Sequence, residues 1–204
     1  MKTVEKARTL QGLVRILEKA HLVNELVAHP SLDQKFKQYV HAKKRNGATI
    51  AEDKRAIFYS SDANFDVYAI FFNKDGSKNK DTEKIVNRAK RIVQALRILK
   101  NGHSYRQFIE HPSMNEKYEQ FIKTKAENDT PLDAKKTILS ATDDIDADAV
   151  FENKTNIFKD GDFDIHGVFY DSSGNLNPAI WDLVNATRKK WMKNPYKKQK
   201  IAKD

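Results

Sequence analysis

Cysteine is absent from this chain of 204 residues. Its absence excludes disulfides, thiolate nucleophiles and cysteine-ligated metals, and it fits a reducing, cytoplasmic compartment. Glycine and proline are scarce, at seven and five residues. So few glycines leave little for phosphate-cradling loops, and no G-x-x-x-x-G-K-[ST], G-x-G-x-x-G or G-x-S-x-G pattern occurs. Long apolar runs are missing as well. Charges interrupt residues 1–19, so no secretory signal is expected there, and no run is long enough to cross a bilayer. Apolar residues still make up 39% of the chain, which is enough for a packed core and argues against wholesale disorder.

What the chain does contain is a duplication. Residues 26–40, with His29-Pro30-Ser31, recur as residues 108–122, with His111-Pro112-Ser113. The copies lie 82 positions apart (111 − 29) without a gap from Val4/Val86 to Ile50/Leu132, and 13 of those 47 positions are identical. Further on the offset becomes 98 (163 − 65): residues 65–72 match 163–170, and Val86-Asn87 match Val184-Asn185. The second copy therefore carries 16 extra residues (98 − 82) between 133 and 162. The opening helix occurs three times, the last truncated. Two units are too few for a long solenoid, so two units that complete each other's core are expected.

Periodicity supplies the elements. Leu10, Leu13, Val14 and Leu17 fall on one helical stripe, and Ile92, Ala95, Leu96 and Leu99 repeat it. Asn101-Gly102 reads as a helix stop, whereas Lys19-Ala20 is a weaker break, so the first helix is free to run on. A short helix follows in each copy. His-Pro-Ser reads as a junction, with Ser31 and Ser113 as N-caps and Gln34 and Glu116 completing capping boxes. Residues 56–59 and 65–72 are aromatic and β-branched, which predicts a β-hairpin; residues 156–158 and 163–170 predict another, turning at Asp160-Gly161. Asp75-Gly76 and Ser173-Gly174 end the second strands. Asp81 and Asn177 are the expected caps of the next helices, and Pro178 stands at a first helical position. The fold class is therefore read as α+β, a helix-helix-helix-hairpin unit in tandem with a closing helix over about 178–193. Repeat 1 is 1–82, repeat 2 is 83–187, and a basic tail is 188–204. An exposed acidic insert near 140–155 holds Asp143, Asp144, Asp146, Asp148 and Glu152.

Few side chains suggest chemistry. His29 and His111 sit in equivalent junctions without a nucleophile or a second ligand, which favours a structural role. His21 and His103 recur eight residues earlier, without the i, i+4 spacing of a metal pair. Asp144, Asp146 and Asp148 resemble the opening of a calcium loop, but the required glycine is missing and Thr155 replaces the final acid. Asp66 and Asp164 open equivalent segments and read as turn residues rather than as a carboxylate pair. No cofactor or metal site is expected, and the chain reads as non-enzymatic.

The element order resembles that of tandem winged-helix proteins, which implies a DNA-binding recognition helix and a β-wing. Helix 32–45 would supply Lys35, Lys37, Lys43, Lys44 and Arg45; its counterpart at 114–127 departs from that pattern with Glu116, Glu119 and Glu127. The strongest signal of a partner is the tail. The formal charge is +9, and residues 188–204 carry +7 of it through Arg188, Lys189, Lys190, Lys193, Lys197, Lys198, Lys200 and Lys203 against Asp204. The remaining residues are nearly neutral. Trp191 and Tyr196 lie among these bases, where stacking would complement phosphate contacts. The expected partner is DNA or RNA, bound through those eight bases. The alternative is a protein-interaction module with a groove between the repeats, binding another protein; no membrane is involved.

Overall fold

A computed structural model describes residues 2–46, 54–59, 65–127 and 147–193. The fold is all-α, 76% helical, and no sheet forms among these residues. The order is α1 (Lys2–Lys19), α2 (Val23–Ala28), α3 (Pro30–Arg45), α4 (Ala56–Tyr59), α5 (Tyr68–Phe71), α6 (Lys80–Asn101), α7 (Tyr105–Ile109), α8 (Pro112–Glu127), α9 (Ala147–Asn156), a 3₁₀ turn (Ile157–Lys159), α10 (His166–Phe169) and α11 (Pro178–Lys193). The chain divides into two compact units, Met1–Val93 and Gln94–Asp204, so the division falls inside α6.

The α+β expectation is overturned at both hairpins. Residues 56–59 and 68–71 are helical turns, as are 157–159 and 166–169. The extended pairings that remain among the described residues are two isolated bridges, Phe72 with Lys78 and Tyr170 with Leu176. Two local bonds explain the turn. Asp66 Oδ1 accepts from the Ala69 N–H at 3.3 Å, and Asp164 Oδ1 accepts from the Gly167 N–H at 2.9 Å. An aspartate that satisfies the N–H three residues on starts a helical turn. The apolar residues then pack inward at turn spacing rather than alternately: Phe65, Ile70 and Phe71 in the first unit, Phe163, Val168 and Phe169 in the second. A short apolar run does not by itself separate a buried strand from a buried turn. The winged-helix likeness loses its wing at the same stroke.

Each of these turns is closed by the helix that follows it. In the first unit Phe71 O accepts from Asn79 N at 2.8 Å, and Ile70 O accepts from Thr82 Oγ1 at 2.8 Å. In the second, Phe169 O accepts from Asn177 N at 2.9 Å and Trp181 Nε1 at 2.9 Å, and Val168 O from Asn177 Nδ2 at 3.1 Å. The loops that precede these helices match as well. Gly76 and Gly174 take φ of +84° and +80°, a conformation glycine adopts without steric cost. Asn79 Oδ1 accepts from Asp81 N, so Asn79 rather than Asp81 serves as the cap. The buried faces are Ile85, Val86, Ala89 and Ile92 on α6, and Ile180, Val184 and Thr187 on α11. Full burial of each large aliphatic is worth about 1.5–3 kcal/mol, more than most caps. Apolar spacing therefore chooses the faces, and caps trim the ends.

The acidic insert is only partly a loop. Asp148 and Glu152 stand on α9, while Asp143, Asp144 and Asp146 lie outside the described residues.

The histidines define the helix ends. α1 stops at Lys19 rather than running on, because Leu22 N donates to Leu17 O at 2.9 Å and His21 N to Glu18 O at 3.0 Å. The same pair recurs as Ser104 N to Leu99 O and His103 N to Lys100 O. These are the bonds of a Schellman stop, with a histidine in the left-handed position: φ is +55° at His21 and +57° at His103. Gly102, the expected stop, is needed for another reason. A methyl added there would strike Thr187 and stand 2.9 Å from Ile98 O. The N-caps move as well. His29 and His111, not Ser31 and Ser113, cap α3 and α8: their Nδ1 atoms accept from Ser31 N at 3.3 Å and Ser113 N at 3.1 Å. Pro30 and Pro112 take the first helical position, so each serine is already in the first turn.

Two stability outcomes follow. His111→Ala should cost about 0.5–2 kcal/mol and His111→Asn much less, while Ser113→Ala leaves the cap intact; urea denaturation of the three variants measures the order. Gly102→Ala should cost about 1–3 kcal/mol through overpacking, whereas His103→Gly should gain up to about 1 kcal/mol by relieving the left-handed backbone. Thermal melts of the pair check the opposite signs.

Candidate functional site

The basic residues predicted to bind phosphate begin on α11. Arg188 is half-buried, and Lys189, Lys190 and Lys193 are exposed. Lys193 lies four residues after Lys189 and three after Lys190, so the three ammonium groups share one face of the last turns. After Asp182 the next acid is Asp204. Among the described residues none of the four bases has an ion-pair partner. Basic side chains on a helix's last turn also suit its dipole, which gives them a local structural role. Lys197, Lys198, Lys200, Lys203 and Tyr196 lie outside the described residues. Trp191 departs from the expected stacking role: it is half-buried and its indole Nε1 is enclosed, with no hydrogen-bond partner among the described residues.

The other candidates resolve into structure. His29 and His111 are caps, and His21 and His103 are helix stops. Asp66 and Asp164 each start a turn in its own unit. Among the described residues no group of three or more His, Asp or Glu could hold a metal ion, and no helix is long and apolar enough to cross a membrane.

A duplicated set that sequence reasoning passed over lies on α3 and α8. Lys35, Gln38, Tyr39 and Lys43 correspond to Lys117, Gln120, Phe121 and Lys125. Both lysines are half-buried in each copy. Between them the aromatic ring meets Phe65 or Phe163 edge to face, at 5.2 and 5.6 Å between centroids. Lys43 Nζ stands 5.7 Å from the Tyr39 ring centre, and Lys125 Nζ 5.5 Å from that of Phe121. In the second unit this set lines a cleft of about 460 Å³ with Asp162 and Asp164. Lys125 is ion-paired to Asp162 at 2.6 Å and Asp160 at 3.5 Å, and hydrogen bonding to Asp162 raises its pKa. Acids thus neutralise Lys125 in this cleft. The signal was present in the sequence: Lys35/Lys117, Gln38/Gln120 and Lys43/Lys125 are among the identical positions.

No family model, no curated protein and no solved structure matches this chain.

The two units differ at one further point. Lys54 bonds Asp33 and stands 5.9 Å from the Phe36 ring centre; Lys154 bonds Asn115 and stands 5.5 Å from that of Tyr118. The first unit therefore pairs its lysine with a carboxylate, the second with a neutral amide. Burial lowers the Lys154 pKa, although Glu110 and Glu119 oppose it, and burial raises that of Tyr118.

In the first unit Lys37, at 2.8 Å, and Lys54 hold the Asp33 carboxyl down to about 2 from its usual 3.8. A depressed acid stabilises the fold above its unfolded pKa, and that contribution is lost as pH falls through the folded value. The window is therefore from about 3.8 down to about 2. Carboxyl NMR should place the Asp33 midpoint near the lower limit, and Lys37→Met should move it back toward the upper one. A midpoint unmoved by that change would remove the assigned cause.

Proposed function

We propose that this is a non-enzymatic nucleic-acid-binding protein that contacts the phosphate backbone of DNA or RNA through the basic end of α11 and the residues after it. The observation that carries the reading is the exposed, unpaired group of Lys189, Lys190 and Lys193, continued in sequence by Lys197, Lys198, Lys200 and Lys203. The chemistry is electrostatic. Each lysine that neutralises a phosphate releases condensed counterions, so affinity falls linearly with salt on logarithmic axes. Phosphate contacts carry no base information, so sequence discrimination is not part of the reading. Helix 32–45 is a weaker contact: Lys37 is engaged by Asp33, and the second copy carries Glu116, Glu119 and Glu127 in its place.

Replacing Lys189, Lys190 and Lys193 with Gln should lower the salt slope for random-sequence duplex DNA by about 3, at about 0.9 per phosphate. Fluorescence anisotropy across a salt series reads it. Replacing Lys197, Lys198, Lys200 and Lys203 with Gln tests the remainder of the tail without altering α11. Unchanged slopes in both variants, or no binding by the parent at low salt, would discard the nucleic-acid reading in favour of a protein-interaction module.

A further inference from the structure

Two bases of α11, Arg188 and Lys189, have basic counterparts within the chain. At the offset of 98, Asn185, Arg188 and Lys189 correspond to Asn87, Lys90 and Arg91 on α6. All three α6 residues are exposed. Asn87 precedes Lys90 by three residues and Arg91 by four, so the side chains form one patch. Lys84 extends it, three residues before Asn87 and also exposed. Packing does not require these bases, because the face of α6 that closes the first unit is the opposite one, Ile85, Val86, Ala89 and Ile92.

The neighbouring acids are engaged elsewhere. Glu83 pairs with Lys78 at 2.7 Å, and Glu25 pairs with Arg88. Asp81 is the other acid of α6, and from Lys84 to Asn101 the helix has none. Among the described residues Lys84, Lys90 and Arg91 have no ion-pair partner. The first copy of this helix lacks the arrangement: α1 has Glu5, Arg8 and Thr9 at the same places. An acid replaces the asparagine and a hydroxyl replaces the second base. The cluster is thus shared by the second and third copies only; of the exposed α11 bases read as binding phosphate it includes Lys189, whereas Lys190 and Lys193 fall opposite the buried Ile92 and Ala95.

We propose that Asn87, Lys90 and Arg91, with Lys84, form a second phosphate-backbone contact, so that the protein holds nucleic acid at two basic clusters. This rests on the nucleic-acid reading above. Lysine and arginine supply the charge, and the asparagine amide donates to a phosphate oxygen. Two contacts on one chain make the second engagement intramolecular and raise affinity beyond either alone. A nucleic acid fits better than a lipid surface, since a membrane-lying helix needs exposed large apolar residues beside its bases. The exposed side of α6 offers Lys84, Asn87, Lys90, Arg91 and Gln94 instead.

The test uses the full chain, with Lys90→Gln/Arg91→Gln compared with Arg188→Gln/Lys189→Gln. Anisotropy against random-sequence duplex DNA is measured across a salt series, with phosphatidylserine vesicles and polyglutamate as parallel probes. Each double variant should lower the slope by about 2, and Lys84→Gln alone by about 1, at about 0.9 per phosphate. Circular dichroism melts should match the parent; a lowered melt in the double variant shifts the decision to Lys84→Gln. Parental slope and affinity in Lys90→Gln/Arg91→Gln, or an equal loss toward vesicles or polyglutamate, overturns the second contact. A loss in that variant alone upholds the α6 contact and removes Arg188 and Lys189 from the one on α11. No DNA binding by the parent at low salt overturns both.

Discussion

The structure depends on closing two turns too short to stand alone. α5 and α10 have four residues each, far below the length at which a helix is stable in water. Their carbonyls are taken up by the helix that comes next: Asn79 and Thr82 on one side of the duplication, Asn177 and Trp181 on the other. Leaving such groups buried and unpaired would cost about 1–3 kcal/mol each. A copy of this unit therefore needs the opening helix of the following one. That requirement accounts for a third, truncated copy of the helix at the end of a twofold duplication.

The same constraint gives α6 two roles. Its first turns close the Met1–Val93 unit, and its last turns belong to the Gln94–Asp204 unit. With the inner face committed to Ile85, Ala89 and Ile92, variation is free only on the outer one. There the copies diverge: Glu5 and Glu18 of α1 stand where α6 carries Asn87 and Lys100. Loss of acids from an outer face changes the surface field without changing the packing, and fields of one sign attract polyanions. The duplicated lysine–aromatic sets follow the opposite logic. Lys43 and Lys125 each lie beside a ring, and Lys125 is paired with Asp160 and Asp162, so they hold structure together.

Much of the architecture was legible in the sequence. The offset of 82 located α6, α7 and α8 from α1, α2 and α3, and Pro178 marked the start of α11. The caps of α3 and α8 were expected two residues too late and as serine, because proline fixes the first helical position and histidine Nδ1 can substitute for a serine oxygen. Of the residues proposed to bind nucleic acid, the tail bases were visible as a count of charge. The α6 cluster was not, since bases spread along an amphipathic helix resemble an ordinary solvated face until burial shows which of them are exposed and unpaired.

By itself the sequence determined the duplication, the amphipathic helices and the sites of basicity, since these rest on periodicity and composition, which are local. The tertiary structure decided the state of residues 65–72 and 163–170. Their aromatic and β-branched content suits a strand and a buried turn equally. The choice fell to an aspartate three residues from the N–H it satisfies, and to a helix several residues on that covers the carbonyls left over. It also decided that His21 and His103 take left-handed backbones. The penalty for that conformation is outweighed where Leu22 and the paired helix ends are held by burial, which no local pattern records.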